Sequence, residues 1–448
     1  MRLLTILLAL FSIVTVLNTS NAQQTAQFRE APPLPDEQQL PLEMHSQMED
    51  VPKISVGRTD ADLVGTDNRV LQAAVDYIAG LGGGVVEVGP GEYLMRDSLH
   101  LRSGVTVQGV EGKTILRKHD AAVSTLAIDG DYGEQQITMS SPKGFAVGHG
   151  VAVWDNRSGG FHTTVARITG QSGSRFAIDK PLNADCMVQN NAKAATVFPV
   201  VSGYNVRNSR LIGLTIHGNK ENNPHLNGCR GGGIFFYRGH GAVIENCTVD
   251  GYNGDGVSFQ QSNDVVVFGC NSLNSSQLGF HPGSGSQRAT VRDCVATNNG
   301  TDGLFLCWRV RHGVFENNLL EGNKRFGISI GHKDSDNLIR KNRVRKNGED
   351  GVYFRDETYG MAAHRNRVVD NVIEDNGASG SGAGIRIRGQ TDGLVISNNT
   401  IRDNQDSPTQ TIGVLIEQQV LTVNLNGNKI QATHKVKDER KRQVDVKK

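Results

Sequence analysis

Eight glycines, Gly233, Gly256, Gly279, Gly303, Gly327, Gly351, Gly384 and Gly413, recur at spacings of 23, 23, 24, 24, 24, 33 and 29 residues. Each opens an apolar/polar alternation. A second register runs beside the first: Cys247, Cys270, Cys294, Asn318, Asn342, Asn371, Asn399 and Asn428 form one column, again about one repeat apart. Repeats of this length, built of short strands and Asn/Gly turns, indicate a solenoid in which each coil buries its apolar face on its neighbours.

Strands stacked roughly 4.8 Å apart send alternate side chains inward and outward. The first and third positions after each glycine, such as Ile234/Phe236, Val257/Phe259, Ile328/Ile330 and Ile385/Ile387, therefore face the core. The second positions form an outward column of Phe235, Ser258, His281, Phe305, Ser329, Tyr353, Arg386 and Leu415. Beside it the fourth positions stack Tyr237, Gln260, Gly283, Cys307, Gly331, Arg355, Arg388 and Glu417. The Asn column faces inward at a bend, where side-chain amides can satisfy the backbone of the turns above and below.

Charge is balanced, 47 Lys plus Arg against 46 Asp plus Glu, and aromatic residues make up only 6%. With no basic stripe, nucleic acid is not an expected partner. Residues 1–22 have the pattern of a signal peptide: Arg2, an apolar run Leu3–Leu17, and small residues ending at Ala22. The run is short for a membrane span. Cleavage after Ala22 would give a secreted or periplasmic protein without a membrane segment; an uncleaved anchor is the alternative.

Residues 23–53, with Pro32-Pro33-Leu34-Pro35, read as a flexible linker. The segment 54–119 holds an N-terminal cap and the first coils: Asp67 can cap a helix whose Val70, Leu71, Ala74, Val75 and Ile78 share a face, ending at Gly80. A helix there would cover the open end of the solenoid. Residues 120–200 lose the period and read as an inserted antiparallel β module. Residues 201–433 carry the coils, interrupted by an irregular loop at 219–230, and module and loop together could wall a groove. The tail 434–448, with seven Lys/Arg and three Asp/Glu, reads as a basic disordered end. Among the cysteines, Cys247, Cys270 and Cys294 should stack as buried thiols, Cys186 and Cys229 are a candidate pair, and Cys307 stands on the outer face.

The run GGGVVEVGPGEYLM followed by LHLRSGVTVQGVEGKTILR from Leu99 resembles the opening of the pectate-lyase superfamily. The resemblance implies an all-β fold, a right-handed parallel β-helix. Members that act on polysaccharides lay the sugar chain along an outer parallel sheet. Chemistry-bearing residues of this chain cluster at one phase of successive coils: His281, Cys307-Trp308-Arg309, His332-Lys333-Asp334, Arg355-Asp356-Glu357 and Arg386/Arg388.

Two chemistries compete. In β-elimination from a uronic-acid polymer, cations neutralise the carboxylate, a base removes the C5 proton and an acid protonates the leaving oxygen. Here His281, His332, Lys333 and Arg355 are the catalytic candidates, and Trp308, Arg309, Tyr353, Arg386 and Arg388 the substrate-binding ones, with Tyr353 also a proton donor. Epimerisation at C5 shares the same proton abstraction. Hydrolysis instead needs paired carboxylates, for which Asp334, Asp336, Asp356 and Glu357 are available. Calcium is the candidate cofactor, through Asp334, Asp336 and Glu357; His281, Cys307 and His332 are alternative ligands for a softer ion. A non-catalytic carbohydrate-binding or scaffold protein is the competing reading, and the oligomeric state is open.

The segment Gly279 to Trp308 is similar to coils of mannuronan C5-epimerases, with a Gly-Phe-x-Pro element and Asn299-Gly300-Thr301-Asp302-Gly303. The catalytic set departs. Where that family has Tyr-Gly-Phe-Asp-Pro-His, this chain has Leu278-Gly279-Phe280-His281-Pro282-Gly283, and the later catalytic Asp falls on Cys307. Gly331-His332 and Arg386-Ile387-Arg388 resemble polygalacturonase elements, without that family's paired Asp-Asp coil.

Overall fold

The structure, a computed structural model, describes Met48 and residues 50–440 apart from Ser381; the expected signal peptide and most of the linker lie outside them. Successive coils each place one strand in three long parallel sheets. In one such coil these are Val257–Gln260, Val266–Phe268 and Asn271–Leu273. Sheet I has 13 strands, ending with Val423–Asn426; sheet II has 11, from Gly91–Met95 to Lys429–Gln431; sheet III has 11, from Leu99–His100 to His434–Asp438. Pairing is in register: Ile234, Val257, Phe280, Leu304, Ile328, Val352 and Ile385 follow one another along sheet III. These side chains are buried in one continuous apolar core running from Val56 to Val420.

The turns explain why the register holds. At the bend between sheets I and II, Cys294 N–H donates to Asn318 Oδ1 at 3.0 Å, and the pattern repeats from Asn318 to Asn342, Asn371, Asn399 and Asn428. Each inward amide also donates to a carbonyl beneath it, as Asn342 does to Phe315 at 2.9 Å. Cys247, Cys270 and Cys294 continue the column as buried thiols. A second ladder, Asn299, Asn323, Asn347, Asn376 and Gln410, lines the bend between sheets II and III. A third bend carries Asn337 and Asn366. Only the first ladder was expected from the repeat; the second is as regular, and the third bend holds two stacked amides.

The helix α1 spans Asn68–Gly80, with Asp67 accepting from Arg69 N–H at its start, and buries Leu71, Ala74, Val75 and Ile78. Those residues join the end of the core. The insertion forms a six-stranded antiparallel sheet in the order Val123–Thr125, Lys193–Ala195, Gly150–Trp154, Thr164–Ser172, Arg175–Ile178, Gln136–Thr138. It has its own core and emerges between a sheet II strand, Thr114–Lys118, and a sheet III strand, Val201–Tyr204. The irregular loop leaves the same corner one coil later, and its Leu226 packs against Ala152, Ala195 and Val197 of the insertion. Both extensions therefore stand beside sheet III.

Of the tail expected at 434–448, residues 441–448 lie outside the described residues and the start is ordered. Residues His434–Asp438 form a strand on Ile412–Ile416 because the last coil offers an unpaired edge that a further strand can satisfy. Among the described residues no helix is long and apolar enough to cross a membrane.

Asn342→Ala should lower unfolding stability by about 3 kcal/mol, since it strands the Asn318 N–H and a carbonyl in the interior at about 1–3 kcal/mol each. The exposed Asn424→Ala should change it by less than about 0.5 kcal/mol. Urea unfolding of the two variants checks this; equal midpoints would mean that the ladder contributes nothing beyond strand pairing.

Candidate functional site

The outward column of sheet III points away from the core as the alternation requires, yet much of it is covered. Phe235, Ser258, His281 and Ser329 are no more than 3% exposed. The irregular loop folds over the early coils: Gly228 C=O accepts from Ser258 Oγ at 2.6 Å. A side chain at Gly228 would meet the Asp255 carboxylate, so the loop lies this close to Asp255 because residue 228 is glycine. One coil earlier, Tyr204 lies 5.6 Å from the Phe235 ring and carries Lys180 of the insertion over its own face.

His281 is consequently a buried residue. Its Nδ1 is 2.7 Å from Asp255 Oδ2, its ring meets Phe305 edge-on at 5.3 Å, and its buried Nε2 has no hydrogen-bond partner. Asp255 belongs to a pattern that was not read from the sequence: Asp255, Asp302 and Asp350 precede the anchor glycine on alternate coils. Each accepts the N–H of the equivalent residue on the next coil, Leu278, Phe326 and Ala383. The second oxygen then faces the outward residue of that coil, which is His281 for Asp255 and Arg386 for Asp350, at 2.7 Å in both cases. For Asp302 the equivalent residue is Ser329, and Asp302 Oδ2 has no hydrogen-bond partner. Burial pushes its carboxyl up to about 6, against the pull of Arg325.

Arg355 also turns inward. Its guanidinium lies 4.5 Å above the Phe305 ring, donates to Ser329 Oγ at 2.9 Å and reaches Asp334 Oδ2 at 3.0 Å. Gly331 makes room, since any side chain there would meet the Arg355 Nε. Asp334 is a bend residue with no exposed side-chain surface; its oxygens accept from Val310 N–H at 2.9 Å and Gly331 N–H at 3.1 Å, as Ser286 Oγ accepts from Ser262 N–H two coils earlier. Burial raises its carboxyl to about 7 despite Arg355 and the two amides.

In this arrangement each carboxylate of the calcium reading already has a partner within the protein. Asp334 is fully engaged, Asp336 forms a two-pronged pair with Arg365 at 2.7 and 2.8 Å, and Glu357 Oε1 is 2.7 Å from His332 Nε2. The three carboxylates do not fit a shared ion. Among the described residues no group of three or more His, Cys, Asp or Glu is placed to hold a metal, so the His281, Cys307 and His332 set is not gathered either. All six cysteines are free. Cys186 sits in the core of the insertion, 3.5 Å from Ser158 Oγ, while Cys229 belongs to a pocket on sheet III, so the candidate pair is not formed.

What remains open to solvent is a rim where sheet III turns toward sheet I. Trp308 is 39% exposed and stacks on His332 at 4.9 Å, with Arg309 beside its ring. His332 Nδ1 is 3.3 Å from Cys307 Sγ. Burial, and then Arg355, lowers the imidazole to about 4, and burial also raises the Glu357 carboxyl and the Cys307 thiol. The tautomer that suits every partner places the proton on Nε2 facing Glu357 and leaves Nδ1 to accept from the thiol. A pocket of about 250 Å³ opens here, lined by Phe161 of the insertion, Cys229 of the irregular loop, Ser284, Cys307, Trp308 and Arg309. Farther along, Tyr353 stacks flat on Phe326 at 4.0 Å, and its hydroxyl accepts from Arg388 at 2.9 Å. Arg388 also binds Glu417 and Asp356, and Arg386 binds Asp350 and Glu417. Lys333, half-buried, neighbours His332 on the rim. Of the residues singled out from sequence, Trp308, Arg309, His332, Lys333, Tyr353, Arg386 and Arg388 line accessible surface, and His281, Asp334 and Arg355 lie beneath it.

Arg355→Met should cost about 3–5 kcal/mol because it leaves Asp334 buried without its counter-charge, and adding Asp334→Asn should restore part of that in urea unfolding. For His332 the folded pKa of about 4 lies below the unfolded 6.5. Its contribution to stability is therefore complete above pH 6.5 and is lost as pH falls through about 4. His332→Gln should lose less stability than wild type across that window; parallel losses would show that His332 does not titrate there.

Residues 149–311, 232–381 and 307–436 match the family described as right handed beta helix region, together more than half of the chain. Mannuronan C5-epimerase AlgE5 of Azotobacter vinelandii is 33% identical over 106 residues, which are 23% of this chain and 10% of that protein, so the match spans about a tenth of the relative's length. Among solved structures, the polygalacturonase of Erwinia carotovora ssp. carotovora superposes with a TM-score of 0.53 at 13% identity, covering 92% of this chain and 100% of that one. The Streptococcus pneumoniae surface protein and adhesin PfbA gives 0.53 at 13%, covering 84% and 97%. At these identities the superpositions establish a common fold. With its three in-register parallel sheets and stacked bend ladders, the chain belongs to the right-handed parallel β-helix family.

Proposed function

We propose that this is an exported protein that binds an extended, anionic polysaccharide along the outer rim of sheet III and cleaves it by β-elimination. The observation that carries the reading is the row of accessible groups on consecutive coils: Trp308 over His332, Tyr353 over Phe326, and Arg388 beside Tyr353. Coils stacked at roughly 4.8 Å present this row at a rise close to one sugar residue. Trp308 supplies an apolar face for a pyranose ring, and Arg309 and Arg388 supply charge. Relatives and structural neighbours that carry polysaccharide-directed names, a mannuronan epimerase and a polygalacturonase, support the substrate class. The leader-like residues 1–22 support export.

In this scheme a uronate carboxylate displaces Asp356, the most exposed partner of Arg388, and its pairing with the guanidinium acidifies the C5 proton. Lys333 is the base, since both nitrogens of His332 are already hydrogen-bonded. Tyr353 accepts from Arg388, so its own proton is available for the leaving oxygen. His281 and Arg355 hold the floor of the site. One observation favours binding without cleavage: Arg355, Arg386 and Arg388 each already face a carboxylate of the protein.

The test follows the ultraviolet absorbance of the unsaturated product on alginate, pectate, rhamnogalacturonan and glycosaminoglycans. One polymer should respond, with Lys333→Ala and Tyr353→Phe each lowering the rate at least ~100-fold. Trp308→Ala should weaken binding about tenfold, the equivalent of one lost aromatic contact. Binding without any absorbance rise or new reducing ends would replace the lyase reading with that of a carbohydrate-binding protein.

A further inference from the structure

Beside the rim lies a group of residues for which elimination has no use. Cys307, His332 and Glu357 come from three points on adjacent coils and form a continuous chain, with 3.3 Å from Cys307 Sγ to His332 Nδ1 and 2.7 Å from His332 Nε2 to Glu357 Oε1. One face of the imidazole stacks on Trp308, with ring centroids 4.9 Å apart. This is the order of nucleophile, base and orienting carboxylate that thiol and hydroxyl hydrolases need. Cys307 also lines the pocket of about 250 Å³ whose other walls are Phe161, Trp308, Ser284, Cys229 and Arg309. Two aromatic walls and one cation suit a small acyl group whose carbonyl oxygen gains negative charge on attack.

We infer that Cys307, His332 and Glu357 form a thiol ester-cleaving centre that removes a small O-acyl group from the sugar chain lying on the rim. Cys307 Sγ attacks the ester carbonyl as its proton passes to His332 Nδ1. The carbon–oxygen bond to the sugar breaks, and the departing oxygen takes that proton to become a hydroxyl, leaving an acyl thioester on Cys307. Water then attacks the thioester, its proton moving through Nδ1 back to sulfur, and the carboxylic acid leaves. The net reaction is ester plus water to alcohol plus acid, and no other reactant is consumed. Cys307 and His332 are the catalytic residues; Glu357 is a positioning residue that fixes the tautomer. Because burial disfavours the thiolate and keeps the imidazole neutral, the proton moves during attack, as it does for a hydroxyl nucleophile.

The esterase step stands independently of the lyase reading, while its natural substrate rests on the polysaccharide reading of the same rim. The test uses p-nitrophenyl acetate with the full-length protein, following p-nitrophenolate release and the mass of the Cys307 peptide. Turnover with an acetyl adduct on Cys307 is expected. Cys307→Ala should abolish both, and His332→Gln should lower the rate at least ~100-fold. Glu357→Gln should lower kcat and displace the acid limb of the pH profile with little change in KM, which a purely structural role would not do. Absence of a Cys307 adduct in the wild-type protein overturns the centre whether or not the variants fold. So does a Cys229–Cys307 disulfide in the non-reduced peptide map. Acetate release from acetylated but not deacetylated polymer assigns the sugar ester; turnover of p-nitrophenyl acetate with no acetate released from any acetylated polymer overturns that assignment and leaves the thiol centre standing.

Discussion

The structure depends on satisfying the backbone at its bends. Parallel strands satisfy one another within the sheets, but a coil must turn three times, and each turn carries N–H and C=O groups into the interior where water cannot reach them. The side-chain amide answers this because it donates and accepts at once. Asn342 takes the Asn318 N–H, gives to the Phe315 carbonyl and passes a further bond to Asn371. A buried thiol does part of the same work in the earlier coils, where Cys270 and Cys294 donate to carbonyls below them. The ladders hold the coils in register, and register aligns every column on the outer faces.

Alignment alone does not make a site. Sheet III acquires one because the insertion and the irregular loop leave the solenoid at the same corner and lean on its early coils. The loop covers the Asp255–His281 pair, and Phe161 of the insertion and Cys229 of the loop reach as far as the pocket beside Trp308. On those coils the cover comes from the column itself. Arg355 lies over Phe305 and Gly331 instead of projecting into solvent, because Asp334 at the bend draws the guanidinium down. A residue that seemed to present a cation to a substrate thus becomes part of the floor. The imidazole of His332, held neutral by burial and by Arg355, stands between a thiol and a carboxylate at the rim.

Such differences separate what was legible in the chain from what was not. The glycine period, the inward alternation and the first Asn ladder could be read directly, because each depends on spacing within one repeat. The alternate-coil aspartates carried a signal too, Asp before the anchor glycine at Gly256, Gly303 and Gly351, but every other coil lacks it and the column looks broken. Asp334 stands beside the rim residues His332 and Lys333 in the chain, yet its side chain is buried at a bend. Its place in a bend ladder shows only when coils are stacked and Ser262, Ser286, Val310 and Asp334 fall in line. The Cys186 and Cys229 pairing failed for a similar reason: one thiol serves the core of the insertion and the other the rim of the solenoid.

The sequence by itself determined the solenoid, its core-facing residues, the position of its capping helix and the sheet whose outer face carries the polar and aromatic side chains. Those properties follow from local periodicity, that of the coils for the solenoid and that of one apolar face for the helix. The tertiary structure alone decided which of those side chains meet solvent and which meet each other. A partner such as Asp255 for His281, or Glu357 for His332, lies on another coil, and a cover such as the loop around Gly228 lies off the repeat altogether. The physical reason is that burial and pairing depend on distance through space across coils, and a period along the chain contains no term for either.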